Sequence, residues 1–195
     1  MQISELGLKY SAPGYIGAKT GAITGIAADA AVFGLRVAPY VNRLNGAIVN
    51  RPVAITRFRL CFIPTAGFTA AQGFGFEVHV TNVQANFDTG SPITILAQRR
   101  KTSGYDDIPE SEIDVKASNT AAISGGSHVN KEPGDAPWFA AGAGGQFPYI
   151  ESVWEPQDGF PLVLEQNEGL IVHNEVAMGA GGAGHLFVGI DFFRL

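Results

Sequence analysis

The sequence predicts an all-β fold: a two-sheet antiparallel sandwich of jelly-roll type with long loops and an extended N-terminal arm. Three observations point there. Apolar side chains alternate with polar or small ones at a period of two in several separate segments. Clusters rich in Gly, Pro, Asn and Asp fall between those segments, as turns require. No stretch longer than about ten residues keeps a helical period; Val41, Leu44 and Ile48 are helix-spaced, but Gly46 lies among them and limits this to a short turn.

Residues 1–29 read as an arm, with an ordinary frayed terminus as the alternative. They are rich in Ala and Gly, keep no sustained period, and carry scattered large side chains at Leu6, Leu8, Tyr10, Tyr15, Ile16, Ile23 and Ile26. Such a segment buries little surface on itself. Its spaced apolar residues suit anchoring to another chain, with Tyr10, Tyr15 and Ile16 as candidates.

The sandwich is expected over 30–195. In 31–38, Phe33, Leu35 and Val37 share one parity and Gly34 and Arg36 the other. In 54–64, Phe58, Leu60 and Phe62 oppose Arg57, Arg59 and Cys61, and Pro64 should end the strand because it cannot donate to the ladder. In 73–83, Phe74, Phe76, Val78 and Val80 oppose Gly75, Glu77, His79 and Thr81; no helix produces this, since residues two apart lie on opposite sides of a helix. After a turn at 88–92, Ile93, Ile95 and Ala97 form a short strand leading to Arg99, Arg100 and Lys101.

Residues 102–149 hold several glycine-rich stretches and read as a long loop insertion with short strands such as 113–117 and 137–140 embedded in it. Regularity returns with a strand at 160–164, a turn at 166–169, and a strand at 170–178 in which Leu170, Val172, Val176 and Met178 share a parity broken by Asn174. The last strand, 185–195, is apolar on both faces: Leu186, Val188, Ile190 and Phe192 on one, Phe187 and Phe193 on the other. Doubly buried strands read this way, so it should be central to a sheet or have one face covered by another subunit.

Composition narrows the function. Charged residues are 16% of the chain, well below the roughly 25% usual for soluble domains. A surface partly covered by neighbours needs less charge than a free one. The net charge is −5, and apart from the cluster at 99–101 the cations are scattered. Phosphate binding needs clustered cations, so nucleic acid is not expected as a partner. No apolar run approaches the roughly 18–20 residues that span a bilayer, and the first residues lack the basic and apolar regions of a secretory signal. A single cysteine, Cys61, excludes an intrachain disulfide and a cysteine-based zinc site, and a small buried residue is expected there.

No catalytic residues are predicted. Walker-type, GxSxG and HExxH motifs are absent. The histidines are His79, His128, His173 and His185, and no two are two residues apart, the spacing often found in metal-binding jelly rolls such as the cupins. Glu77 with His79, and His173 with Glu175, do share strand faces and could meet across a sandwich. The expectation is nevertheless outward polar faces with cross-strand hydrogen bonds, no metal and no cofactor. Asp106, Asp107, Glu110, Glu112 and Asp114 read as a solvated acidic loop without calcium-loop spacing. Glu151, Glu155 and Asp158 beside Trp154 could be imagined as a glycosidase pair; aromatic packing under a loop is preferred. Trp138, Phe139, Phe147, Tyr149 and Trp154 stand among Gly, Pro and Ala and must pack inside the domain or across an interface. They join Tyr10, Tyr15 and Ile16 as candidate partner-binding residues.

Residues 161–178 (PLVLEQNEGLIVHNEVAM), the glycine linker that follows and the closing strand 186–193 (LFVGIDFF) resemble the C-terminal strands of virion structural proteins of tailed bacteriophages, in which a hairpin precedes a final apolar strand. Residues 33–39 (FGLRVAP) and 55–60 (ITRFRL) are compatible with that group. The resemblance covers about the last 35 residues and transfers no catalytic residue. It implies a capsid cement (decoration) protein located in the virion, a homotrimer seated on the major capsid protein. The alternative it leaves open is a tail or receptor-binding component with the same sandwich. A cupin-like or lectin-like module is the reading outside that group.

Overall fold

The alternating segments become strands, and the strands form two antiparallel sheets packed face to face. The computed structural model of the chain describes residues 13–41, 45–49, 51–70, 72–82, 87, 90–101, 104–123, 127–141, 150–155 and 161–195. Strands are numbered in chain order. Sheet I runs β10 (Gly104–Ile108), β9 (Ala97–Lys101), β1 (Pro13–Lys19), β16 (Ala183–Arg194), β6 (Val53–Ala66), β13 (Ile150–Trp154), with β2 (Ile23–Thr24) against β16 and β14 (Leu162–Leu164) against β6. Sheet II runs β12 (Ser127–Ala141), β7 (Gln72–Asn82), β15 (Glu168–Asn174), β3 (Ala31–Val37), β11 (Ile113–Ala117), β8 (Ile93–Ile95). β4 (Tyr40–Val41) and β5 (Ile48–Val49) form a small ladder of their own where a short turn was expected.

The core lies between the sheets and is built from the predicted parities. Phe58, Leu60 and Phe62 of β6 and Leu186, Val188, Ile190 and Phe192 of β16 meet Phe33, Leu35 and Val37 of β3, Leu170 and Val172 of β15, and Phe76 and Val78 of β7. The rings of Phe62 and Phe76 join the layers, with centroids 5.4 Å apart and planes tilted by 51°. Each such side chain contributes about 1.5–3 kcal/mol when fully buried.

Several boundaries differ from expectation. The stretch read as an arm is part of the sandwich from Pro13 on. β1 pairs with β16 through seven residues and with β9 on its other side, and Ile16, Ile23 and Ile26 are buried in the main core. The strand escaped the pattern because its partner needs small residues there. A Cβ at Gly14 would stand 2.2–2.6 Å from the ring of Phe192, so the aromatic occupies the space a side chain would take. Gly14→Val is expected to cost about 1–3 kcal/mol by overpacking, read as a lower urea midpoint. Gly17→Ala should cost less, because the atom it meets, 2.9 Å away, belongs to the half-exposed ring of Tyr15.

The insertion at 102–149 is also more regular than read. It contributes β10, β11 and β12, and β12 is a long edge strand with register shifts against β7. The segment resembling a phage hairpin is not one here: β14 pairs with β6 in sheet I, whereas β15 pairs with β3 and β7 in sheet II. The turn between them is a corner from one layer to the other. Asn167 takes a left-handed φ of 67° in it, its amide donates to the Val37 carbonyl at 2.8 Å, and the Glu165 amide donates to the Glu168 carboxylate at 2.8 Å. Likewise β8 and β9 lie in different sheets, parted at the exposed Leu96. β15 stops at Asn174 rather than reaching Met178, because the Asn174 amide donates to the carbonyls of Ala27 and Val176 and turns the chain.

Candidate functional sites on the outer faces of the sheets

Outward-facing positions of a sandwich strand are ordinarily polar and wet. Sheet II departs from this. Its outer face carries Glu77, His79, Thr81, His173, Arg36, Asp114 and Lys116, and all are buried. Part of the cover is a second, smaller apolar cluster of Ala31, Phe87, Ile123 and Ile171. Phe87 lies flat on β3 because Gly34 leaves room; a Cβ there would be 2.8 Å from the ring.

Two polar groupings sit under this cover. In the first, Asp114 lies opposite Arg36 on paired strands, with Arg36 Nη2 3.8 Å and Lys116 Nζ 3.7 Å from its carboxylate oxygens. Lys116 also donates to Thr94 Oγ1 at 2.8 Å and pairs with Glu110. Asp114 was expected in a solvated acidic loop; it is buried because it falls on the covered face of β11, while Asp106 and Asp107 are exposed.

The second grouping joins Glu77 and His79 of β7 to His173 of β15. Glu77 and His79 share a face by the period of two, and His173 is the direct cross-strand neighbour of Glu77. His79 Nε2 is 3.0 Å and His173 Nε2 3.7 Å from Glu77 Oε2. The imidazoles meet edge to face with centroids 4.3 Å apart. Exposures are 6, 7 and 2% for Glu77, His79 and His173. The two histidine–glutamate faces noted in the sequence thus meet side by side within one sheet, not across the sandwich, and Glu175 lies beyond the end of β15. The pairs lie on the outward face that was expected of them, but that face is covered and they are buried.

Sheet I presents the opposite case. Its outer face carries Tyr15 and Lys19 of β1, Phe187 and Phe193 of β16, Arg57, Arg59, Cys61 and Ile63 of β6, Val153 of β13 and Val163 of β14, none of them buried. Val153 is 45% and Ile63 38% exposed. A shallow depression of about 330 Å³ lies among Tyr15, Lys19, Arg59, Cys61, Phe187 and Gly189. Lys19 Nζ stands 5.5 Å from the Phe187 ring centroid. Cys61, expected to be buried, is half-exposed here because its parity is the outer one. β16 is central in its sheet, as expected, but Phe187 and Phe193 on its outer face are only half-buried.

Among the candidate partner-binding residues, Tyr15 is half-exposed on this open face. Ile16 is withdrawn as a partner anchor: it is fully buried in the chain's own core. Trp154 packs against the core, with its backbone opposite Phe58, so it serves the domain's own packing. Trp138 and Phe139 lie on β12 opposite Gly75 and Phe74. Tyr10, Phe147 and Tyr149 lie outside the described residues. Sequence reasoning missed the exposed Ile63, Val153 and Val163; only Ile63, an apolar residue at the outward parity of a long amphipathic strand, carried a signal that could have found it.

Compared with models of known families, with curated proteins and with solved structures, the chain matches none.

Proposed function

We propose that the chain is a virion structural protein of the capsid cement (decoration) type: a homotrimer that seats on the outside of a phage shell, against the major capsid protein, and reinforces it. The observation that carries this reading is the inequality of the two outer faces. One carries polar and charged side chains that are buried within the chain. The other offers Tyr15, Phe187, Phe193, Val153, Val163 and Ile63 in a chain of low charge, a surface suited to burial by further polypeptides.

The strand order supports the jelly-roll part of the reading. Taking β1, β3, β6, β7, β12, β13, β15 and β16 in turn, the sheets are I, II, I, II, II, I, II, I, and the first and last of these strands are neighbours. Two interlocked Greek keys generate that order. The mechanism is physical rather than chemical. Packaged DNA pushes a shell outward, and a trimer spanning several subunits adds buried area between them. Interfaces of about 1,600 Å² in total are sufficient for stable association, and many copies make the reinforcement multivalent. An acidic chain with scattered cations has no role in holding the DNA itself.

Light scattering should return three chain masses, and the protein should sediment with shells built from the major capsid protein. Ile63→Asp with Val153→Asp is expected to give monomers of unchanged far-ultraviolet dichroism that no longer sediment with shells. A wild-type monomer that stays in the supernatant would overturn the proposal. Antibody labelling at the tail instead of the head would replace cement by a tail component.

A further inference from the structure

We infer that Glu77, His79 and His173 form a binding site for one divalent transition-metal ion of the zinc class. The three side chains offer one ligand atom each, two imidazole nitrogens and a carboxylate oxygen, all within 4.8 Å of one another. Ligands about 2.0–2.1 Å from a tetrahedral ion stand about 3.3 Å apart. The separations of 3.0 and 3.7 Å from Glu77 Oε2 to the two imidazoles bracket that value. With the imidazole nitrogens no more than 4.8 Å apart, side-chain rotation would be what brings all three onto one ion.

The surroundings fit as well. His173 turns Nε2 toward Glu77 and Nδ1 toward Asp29, whose Oδ1 is 3.7 Å away. A ligating imidazole commonly directs its other nitrogen at a carboxylate, which fixes its tautomer and orientation. Asp29 is held for this role. Its backbone takes a left-handed φ of 58°, and its amide donates to the Asn174 carbonyl at 2.7 Å. Asn174, next to His173, in turn donates to Ala27. The register of β15 against β3 shifts between Val172 and His173, and such bulges re-aim a side chain. The Asp29 side chain is 76% exposed, so the outer end of this arrangement stands at the surface. A divalent ion would also offset the charge of a carboxylate buried beside two imidazoles. Two imidazoles with one carboxylate select borderline first-row ions such as Zn²⁺ over Mg²⁺, which prefers an all-oxygen shell. The ion would tie β7 to β15 and to the loop carrying Asp29, a structural bond independent of any contact with a shell.

The test uses untagged full-length protein, stripped with chelator and titrated with Zn²⁺ and Co²⁺. One ion per chain is expected. Zn²⁺ at a hundred times its Kd should raise Tm by about 5–10 °C, Mg²⁺ should not, and acid should weaken uptake because protons compete for imidazole. His79→Ala and His173→Ala should each lower affinity by about 100-fold or more, and Asp29→Asn by about 10-fold. His185→Ala, whose ring contacts the Thr20 carbonyl on sheet I, should leave it unchanged. If a histidine variant fails to fold, the wild-type Co²⁺ spectrum decides. Intense visible bands of a four-coordinate ion support the site. The weak spectrum of hydrated cobalt, with substoichiometric Zn²⁺ and an unmoved Tm, overturns it and leaves Glu77 and His79 as a buried hydrogen-bonded pair.

Discussion

Replacing Phe62 by alanine is expected to destabilise the fold by about 3–5 kcal/mol, a fall in Tm of roughly 6–20 °C for a chain of this length. Phe62 sits midway along β6, between β16 and β13, with Leu186 and Ile150 as its backbone neighbours. It is 1% exposed and its ring contacts Phe76 of the opposite sheet. Its tip also fills the space over Gly184, where a Cβ would be 2.3 Å away. Truncation therefore removes contacts to both layers at once, and strands paired on both sides of β6 resist closing the cavity. Ile63 is the control. It is the next residue and also large and apolar, but it faces the outer side of sheet I, so with both variants compared as dissociated monomers Ile63→Ala should cost under about 1 kcal/mol. Calorimetry on the two variants measures the layer structure directly; equal losses would mean that the alternation along β6 does not separate an inside from an outside.

That contrast also shows what the sequence made legible. Where a strand alternates strongly, as at Phe58, Leu60 and Phe62 or at Phe76 and Val78, its inward face was readable because burial of large side chains leaves a period of two. Where a strand is accepted for being small, the signal vanishes. β1 carries Gly14 and Gly17 because an aromatic from β16 or from itself lies over them, so a central strand reads as a flexible arm. The layer to which a strand belongs was not legible either. Residues 161–178 alternate well on both sides of their turn, yet the turn crosses between sheets, and only long-range pairing to β6 and β3 decides that.

The candidate site was half legible. Side chains two apart on a strand must share a face, so Glu77 with His79 followed from the sequence alone. That His173 would be their cross-strand neighbour depends on the register of β15 with β7, separated by about ninety residues of chain. That the face is dry depends on Phe87 and Ile123, which come from turns with no periodicity to read. The open face of sheet I was foreshadowed by the second apolar parity of the last strand. Its extension to Val153 and Val163 was not, because both lie on short strands with too few residues to show a period.

Replacing Asp114 by alanine should cost about 3–5 kcal/mol, the usual effect of removing one member of a buried charged group. The carboxylate is 1% exposed and lies between Arg36 and Lys116, both also buried. Its loss leaves two cations close together under the apolar cover of sheet II with one less compensating charge. Distance alone would mislead here. Arg57 Nε lies 3.1 Å from Glu155 Oε1, closer than either contact to Asp114, yet that pair is 39 and 63% exposed. Water screens it, so Glu155→Ala should change stability by no more than about 1 kcal/mol. The burial argument makes a further demand. Replacing Arg36, Asp114 and Lys116 together by Met, Leu and Met removes charge and desolvation cost alike, so the triple variant should be markedly more stable than Asp114→Ala. Urea midpoints for the four proteins test this ordering, and an Asp114→Ala midpoint indistinguishable from that of Glu155→Ala would show that sheet II is not sealed.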